Sequence, residues 1–150
     1  MDGIVYDTNV VPKIVLDTNV LVAGLRSRNG ASFRVLRLVG RDQFETVLSV
    51  PLVIEYEAVL KRQSRVLGLT HSDIDDVLDF LCKVSSLRQI FYLWRPFLRD
   101  PGDDLVLELA VEAEADFIVT HNRRDFAGAE SFGTGVMTPQ SLLREIGETQ

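Results

Sequence analysis

The chain combines short, unbroken apolar runs with longer segments in which apolar residues recur at helical spacing. The unbroken runs predict buried strands, because a strand covered on both faces needs no polar alternation. These strands are predicted at 14–16, 44–49, 89–93 and 116–120, with a fifth left open at 135–138. The spaced segments predict amphipathic helices at 20–28, 32–39, 51–62, 70–84, in a segment that opens at Asp103, and at 140–146.

The order of these elements predicts the fold class. Strands alternate with helices, and the connections lack the tight turns that join antiparallel hairpins. We therefore expect an α/β domain with a mostly parallel sheet covered on both faces.

One carboxylate stands at the end of the first buried run. In KIVLDTNVLVAG, Asp17 follows Leu16 directly, and the short polar side chains of Thr18 and Asn19 can bond the turn that follows. Ligands of open α/β sheets bind beyond the carboxyl ends of the strands, so Asp17 is placed for chemistry. The alternative is that Asp17 only caps the next helix.

A near repeat precedes this run. IVYDTNVV at 4–11 returns as IVLDTNVL at 14–21, with Pro12 between the copies, so one continuous central strand is excluded. Only the second copy leads into a longer segment with helical spacing. We therefore predict an N-terminal extension at 1–12 and a single folded domain at 13–150, with Asp7 acting in place of Asp17 as the alternative.

Length and composition indicate one globular domain. The 150 residues are 46% hydrophobic and 25% charged, and no apolar run is long enough to span a bilayer. A single cysteine, Cys82, excludes an internal disulfide and a cysteine-based zinc site. Without a signal peptide at the start, these features favour the cytoplasm and no membrane association.

The net charge of −6 bears on the partners of the chain. It argues against a broad basic surface for nucleic acid, but it is compatible with an enzyme whose bound cations meet the phosphate. It also makes a basic protein partner plausible. Arg34, Arg37 and Arg41 fall off the apolar face predicted from Phe33 and Leu36, which favours a solvated basic face, with phosphate contacts as the alternative.

The remaining acids differ in their predicted environments. Glu55 borders the apolar stripe of its helix, whereas Glu57 lies opposite and pairs with Lys61 four residues later. Asp103 is interpreted as a helix cap. Asp104, one residue further along, has room to project toward a strand end.

A second group of polar residues follows the strand at 116–120. Thr120 ends the strand, and Asn122 and Asp125 come directly after it, as Asp17 does after the first strand. Together with Glu55 and Asp104 these side chains form a set of hard oxygen ligands. Such ligands suit Mg²⁺ or Mn²⁺ and not zinc, and two such ions about 4 Å apart activate water for phosphodiester hydrolysis.

Four motifs resemble the PIN-domain ribonucleases, of the kind found as VapC-type toxins of toxin-antitoxin pairs. They are VLDTNVLV, IEYEAVLKR, DPGDDLVLELAVEAEADFIVTHNRRDF and VMTPQSLL, in the order of the family. The resemblance implies a three-layer α/β/α PIN-like fold, an RNA substrate, a homodimer and an antitoxin that shields the active site. It implies catalytic roles for Asp17, Glu55 and Asp104, supported by Thr18, Asn19, Asp103 and Thr120.

The fourth acidic position of the family falls on Asn122, where this chain reads THN. An amide oxygen can still contact a metal, but the site loses one negative charge, and Asp125 can replace part of it. The resemblance therefore also allows a weak or inactive RNA- or protein-binding module. This alternative is separated from the enzyme by whether Asp17, Glu55 and Asp104 converge.

Two other hydrolase mechanisms fit the sequence less well. A phosphatase with an aspartate nucleophile needs a second acid two residues after the first, where this chain has Asn19. A metal-free ribonuclease needs paired histidines for acid and base chemistry. The two histidines, His71 and His121, are fifty residues apart in the sequence, and we do not expect them to meet.

Overall fold

Five parallel strands form the centre of the fold in a computed structural model, which describes residues 10–90 and 97–148. The strands are β1 (Lys13–Leu16), β2 (Glu45–Leu48), β3 (Ser86–Leu87), β4 (Phe117–Val119) and β5 (Gly135–Met137). Their order in the sheet is β3-β2-β1-β4-β5, and each neighbouring pair is parallel. The predicted α/β class with a parallel sheet is confirmed.

Helices cover the sheet in a three-layer α/β/α arrangement, as the PIN-like prediction requires. Within the described residues they are α1 (Thr18–Arg26), α2 (Ala31–Leu38), α3 (Val50–Arg62), α4 (Ser64–Leu67), α5 (His71–Val84), α6 (Pro101–Glu112) and α7 (Pro139–Glu145). Two 3-10 helices, Arg123–Phe126 and Ala129–Phe132, lie between β4 and β5. Helix α3 packs against α5 and α6, and α2 packs against α1 and α7.

The central strand β1 explains why the first apolar run is unbroken. Ile14 and Val15 are fully buried, and β1 pairs with β2 on one side and β4 on the other. A strand with helices on both faces and strands on both edges has no side chain that needs to be polar. The apolar run ends at Asp17, where the chain leaves β1 and the core.

Several helical details agree with the sequence pattern. Helix α3 buries Leu52, Tyr56 and Leu60 along one stripe. On its other side Lys61 binds Glu57 at 2.8 Å, as predicted, and also Asp75 of α5 at 2.7 Å. A capping box at the start of α5 is formed in both directions, as the sequence TxxD indicates.

The third strand lies earlier than predicted. It occupies Ser86–Leu87, residues 89 and 90 are outside any strand, and 91–93 lie outside the described residues. A polar contact holds this short edge strand, since Ser86 Oγ donates to Glu45 Oε2 at 2.5 Å. The apolar residue of the strand, Leu87, is 60% exposed. A search for apolar runs in the sequence therefore does not find such an edge strand.

Helix α2 buries only part of the face predicted for it. Val39 is buried and Leu36 packs against the core, whereas Phe33 is partly exposed, with the guanidinium of Arg37 5.9 Å from its ring centroid. Ser32 and Val35 are buried as well. The hydroxyl of Ser32 has a polar partner there, because it lies 2.5 Å from Nε2 of His121, at the end of β4.

No helix in residues 10–90 or 97–148 is both long and apolar enough to cross a membrane. The predicted boundary between an extension at 1–12 and a domain at 13–150 stays a prediction, and Asp7 lies outside the described residues.

Candidate active site

The sheet order creates a crevice between β1 and β4. From β1 the chain continues on one side to β2 and β3, and the later strands β4 and β5 lie on the other side. Loops leaving adjacent strands in opposite directions open a crevice at their carboxyl ends, where α/β folds bind ligands. Asp17 follows β1 there and Thr120 follows β4, and Asp17 N donates to Val119 O at 2.9 Å.

Hydrogen bonds fix the carboxylate of Asp17, which is only 6% exposed. Thr120 Oγ1 donates to Oδ2 at 2.7 Å, and the backbone N of Thr18 donates to Oδ1 at 2.8 Å. The second contact makes Asp17 the N-cap of α1, so the capping role and the placement in the crevice coexist. Burial is the main reason that the pKa of Asp17 is raised, and Asp125 and Asp100 raise it further by repulsion, against the lowering effect of the two hydrogen bonds.

Thr120 connects three polar residues at this edge. Its hydroxyl oxygen accepts from Asn19 Nδ2 at 3.3 Å and from the backbone N of Asn122 at 3.0 Å, while the hydroxyl donates to Asp17. The backbone N of His121 donates to Asn19 Oδ1 at 3.2 Å. Asn19 and Thr120 thus link the ends of β1 and β4, and the supporting roles predicted for them and for Thr18 stay predictions.

A cavity of about 280 Å³ lies in front of Asp17. Five carboxylate residues line it: Asp17, Glu55, Asp100, Asp103 and Asp125. They come from the ends of β1 and β4, from the middle of α3 and from the start of α6. Three predicted site residues, Asp17, Glu55 and Asp125, are therefore brought to one cavity from distant parts of the sequence.

Asp103 and Asp104 are placed the opposite way round from the prediction. Asp103 lines the cavity, and the N-cap of α6 is Asp100, which accepts from the backbone N of Gly102 at 2.7 Å. Asp104 is not among the lining residues of the cavity, and its Oδ1 accepts from the backbone N of Leu98 at 2.9 Å and of Phe97 at 3.3 Å. Helix α6 begins at Pro101, two residues earlier than predicted, so Asp103 and Asp104 both lie in its first turn, where successive side chains point about 100° apart.

The pKa of the Asp103 carboxyl is strongly raised in this cavity. Burial raises its pKa to about 7, with added repulsion from Asp17, Asp100, Asp125 and Asp104. Burial of this carboxyl, with other acids around it, thus favours its protonated form when no cation is bound.

Asn122 does not take the position that its place in the motif predicts. Its side chain is exposed and is absent from the residues lining the cavity, and its backbone N is what contacts Thr120. Asp125, in the following 3-10 helix, lines the cavity instead. Because Asn122 does not line the cavity, the asparagine at this position does not lower the number of carboxylates in the cavity wall.

Five residues that line the cavity were not predicted as site residues: Val22, Val59, Gln63, Asp100 and Gly102. Two of them, Asp100 and Gly102, lie just before the predicted start of α6 at Asp103. A β-carbon on Gly102 would lie 2.8 Å from Glu55 Oε2, so glycine allows this carboxylate to approach the start of α6. The DPG tripeptide before a helix with two further aspartates was the signal available for this.

The donor set fits a hydrated divalent cation. Carboxylate oxygens are the ligands of Mg²⁺ and Mn²⁺, and a cation would relieve the repulsion that raises the pKa values of Asp17 and Asp103. No three His, Cys, Asp or Glu side chains of the described residues are grouped closely enough to hold an ion by direct contacts alone. Mg²⁺ commonly keeps several waters and binds one or two carboxylates, which suits this wider spacing.

Comparisons with known proteins identify the class. The family model described as PIN domain matches residues 13–124, so the chain belongs to the PIN domain family, whose members are generally nucleases. No curated protein matches the sequence at a significant level.

Two solved structures share the fold at low identity. One is VapBC2 from Rickettsia felis bound to a DNA fragment from their promoter, with a TM-score of 0.57, 15% identity, and coverage of 84% of this chain and 98% of that one. The other is a PilT N-terminus domain protein from the archaeon Sulfolobus solfataricus P2, with a TM-score of 0.56, 15% identity, and coverage of 92% and 96%. At this identity the likeness extends to the fold.

Proposed function

We propose that this chain is a Mg²⁺- or Mn²⁺-dependent endoribonuclease and the toxin of a cytoplasmic toxin-antitoxin pair. The observation that carries the proposal is the convergence of Asp17, Glu55, Asp103 and Asp125 on one cavity at the crevice between β1 and β4. Of the three acids whose convergence was expected to separate the enzyme from a binding module, Asp17 and Glu55 line this cavity and Asp104 does not, and Asp103 lines it instead. Membership of the PIN domain family supports nuclease chemistry at this place.

The residues of the proposed site fall into a group that would bind the metal and a group that supports it. Asp17, Glu55, Asp103 and Asp125 would hold the cation, which when bound lowers the pKa of water and offsets the charge of the phosphate. Thr120 and Thr18 keep both oxygens of Asp17 in fixed directions. Beneath the site, Tyr56 is buried and its hydroxyl donates to Leu16 O at 2.5 Å, which supports the end of β1.

The charge of the chain supports a basic protein partner. The net charge is −6, and five carboxylate residues meet at one open cavity. We propose that an antitoxin with a basic segment covers this cavity and competes with RNA. A homodimer, expected from the family, stays a prediction that sedimentation of the purified chain would test.

The decisive experiment compares cleavage of single-stranded RNA by the native chain and by Asp17→Asn, with and without EDTA. We expect metal-dependent cleavage that Asp17→Asn abolishes and Asp7→Asn reduces much less. Asp79→Asn, an exposed acid on α5, is the matched control and should leave cleavage unchanged. Equal cleavage by Asp17→Asn and the native chain would reject the proposal, and binding of RNA without cleavage by the native chain would favour a non-catalytic module.

A further inference from the structure

A second cavity adjoins the acidic one. It has a volume of about 640 Å³ and shares three wall residues with the first cavity, Asp100, Asp103 and Asp125. The rest of its wall is chemically different. It consists of Phe97, Leu98, Arg99, Pro101, Arg124 and Ala127.

Phe97 presents a fixed aromatic ring at this cavity. The side chain is 49% exposed, and its ring meets the ring of Phe132 edge-on, with centroids 5.3 Å apart and planes at 80°. On another side the ring lies next to Gly128, where a β-carbon would be 3.4 Å from it. The carboxylate of Asp104 holds the backbone of Phe97 and Leu98, so this loop is anchored to α6.

Two guanidinium groups accompany the ring. Arg99 and Arg124 are both exposed on the cavity wall. Neither forms an ion pair with a carboxylate in residues 10–90 and 97–148, although three aspartates line the same cavity. In a chain with a net charge of −6, two cations without an ion-pair partner among residues 10–90 and 97–148 thus lie directly beside the proposed cleavage site.

We propose that this second cavity is a nucleotide subsite that binds single-stranded RNA next to the phosphate to be cleaved. One base stacks on Phe97, and Arg99 and Arg124 contact the phosphates that flank it. Aromatic stacking and arginine contacts are the usual means of binding an unpaired strand, because every base has a face to stack. The inference rests on the proposed nuclease function and names its substrate as unpaired RNA.

The wall that the two cavities share explains why one RNA strand would occupy both of them. Asp100, Asp103 and Asp125 separate the two cavities, so a nucleotide in the second lies one step along the chain from a phosphate in the first. A base inside a duplex is not available to stack on a side chain. The arrangement therefore selects unpaired RNA over duplex RNA.

The test measures binding apart from cleavage. In the Asp17→Asn background with Mg²⁺, a fluorescein-labelled, unstructured RNA of roughly eight nucleotides is titrated at several salt concentrations. We expect Phe97→Ala and Phe97→Leu to weaken binding by roughly tenfold with an unchanged salt slope, and Phe97→Tyr to bind as the parent does. Arg124→Ala should lower the slope of log K against log salt by about 0.7, and Arg124→Lys should retain it.

Matched controls lie elsewhere on the surface. Phe80→Ala removes a 48% exposed ring from α5, and Arg37→Ala removes a cation from the basic side of α2. Both should bind as the parent does. Phe97→Leu keeps an apolar contact with Gly128 and Phe132, so weaker binding by this variant reports the lost aromatic face and not a lost fold.

Cleavage by the chain with Asp17 intact separates the two proposals. We expect Phe97→Leu and Arg124→Ala to raise KM with little change in kcat. If the native chain cleaves RNA and both variants bind and cleave as it does, or if Arg37→Ala weakens binding more than Arg124→Ala, the subsite is rejected and the nuclease stands. If the native chain neither binds nor cleaves RNA, the proposed function is rejected and the subsite with it.

Discussion

Gly102 of α6 and Glu55 of α3 lie so close together that a β-carbon on Gly102 would be 2.8 Å from Oε2 of Glu55. The same β-carbon would lie 3.1 Å from Oδ1 of Asp100. The absence of a side chain at the start of α6 therefore sets how closely two acids of the cavity approach this helix. The obstructed atoms are the ends of flexible side chains, so a larger residue would move the acids and leave the backbone in place.

Gly102→Ala should accordingly reduce activity without loss of stability. Alanine is favoured over glycine within a helix, so we expect an unchanged or slightly higher melting temperature. We also expect weaker Mg²⁺ binding and slower RNA cleavage, because Glu55 is displaced. Gly30→Ala is the control, since a β-carbon at that position would meet no atom within 4 Å. Cleavage rates that match the native rate at every Mg²⁺ concentration would contradict this account.

Thr120→Val should damage both the fold and the site. The valine keeps the shape but removes the donor to Asp17 and the acceptor for Asn19 and Asn122. We expect the free energy of unfolding in urea to fall by about 1–3 kcal/mol. The pKa of Asp17 should also rise further, because the hydrogen bond from Thr120 lowers it, so Mg²⁺ affinity should fall more as the pH is lowered. Thr120→Ser restores the hydroxyl and should recover most of both losses, and a serine variant as impaired as valine would exclude the hydrogen bonds as the cause.

Asp103→Asn and Asp104→Asn should differ in metal binding although the residues are adjacent. Asp103 lines the cavity, whereas Asp104 holds the backbone of Phe97 and Leu98. We expect Asp103→Asn to weaken Mg²⁺ binding in calorimetric titrations by at least about tenfold, the loss that removal of even an indirect metal contact causes. Asp104→Asn should leave it little changed. The reverse ranking would show that Asp104 contacts the ion, as the sequence motif alone indicates.

The stability of the metal-free protein should fall as the pH rises. Burial and repulsion raise the pKa of Asp103 to about 7, from an ordinary value of 3.8. The folded state therefore holds this proton more tightly than the unfolded state, and the stabilisation present below about pH 4 is lost as the pH rises to 7. In EDTA we expect the melting temperature to decline over this range more steeply for the native chain than for Asp103→Asn. Parallel melting curves for the two proteins would exclude a raised pKa at this residue.

The sequence was most informative where the chain leaves the sheet. Asp17 and Thr120 end unbroken apolar runs, so their positions at the carboxyl ends of parallel strands follow from the pattern alone. The pairing of β1 with β4, which brings them together, needs a topology that apolar runs do not specify. The family resemblance implied a parallel sheet but not this strand order, which the structure supplies.

The start of α6 shows where the pattern is insufficient. Whether Asp103 or Asp104 enters the cavity depends on how α6 is rotated against the sheet, since successive helical side chains point about 100° apart. Pro101 occupies the first turn of α6, and the cap is Asp100. Sequence reasoning placed the start at Asp103, interpreted Asp103 as a cap and assigned the site to Asp104.

Polar contacts account for the other differences. The buried Ser32 contacts His121, and β3 is held to the sheet edge by Ser86 and Glu45. Hydrophobic periodicity carries no information about such pairs. Their partners lie far apart in the chain and become visible only in three dimensions.

The hydrogen bond between Thr120 and Asp17 joins residues 103 positions apart in the chain. A ribosome that has released β1, β2 and β3 has therefore delivered Asp17 and Glu55 but neither Asp103 nor Asp125. The acidic cavity can therefore form only after β4 and the 3-10 helix that carries Asp125 have been synthesised and β4 has taken its place beside β1. A nascent chain that stops short of β4 carries no assembled site.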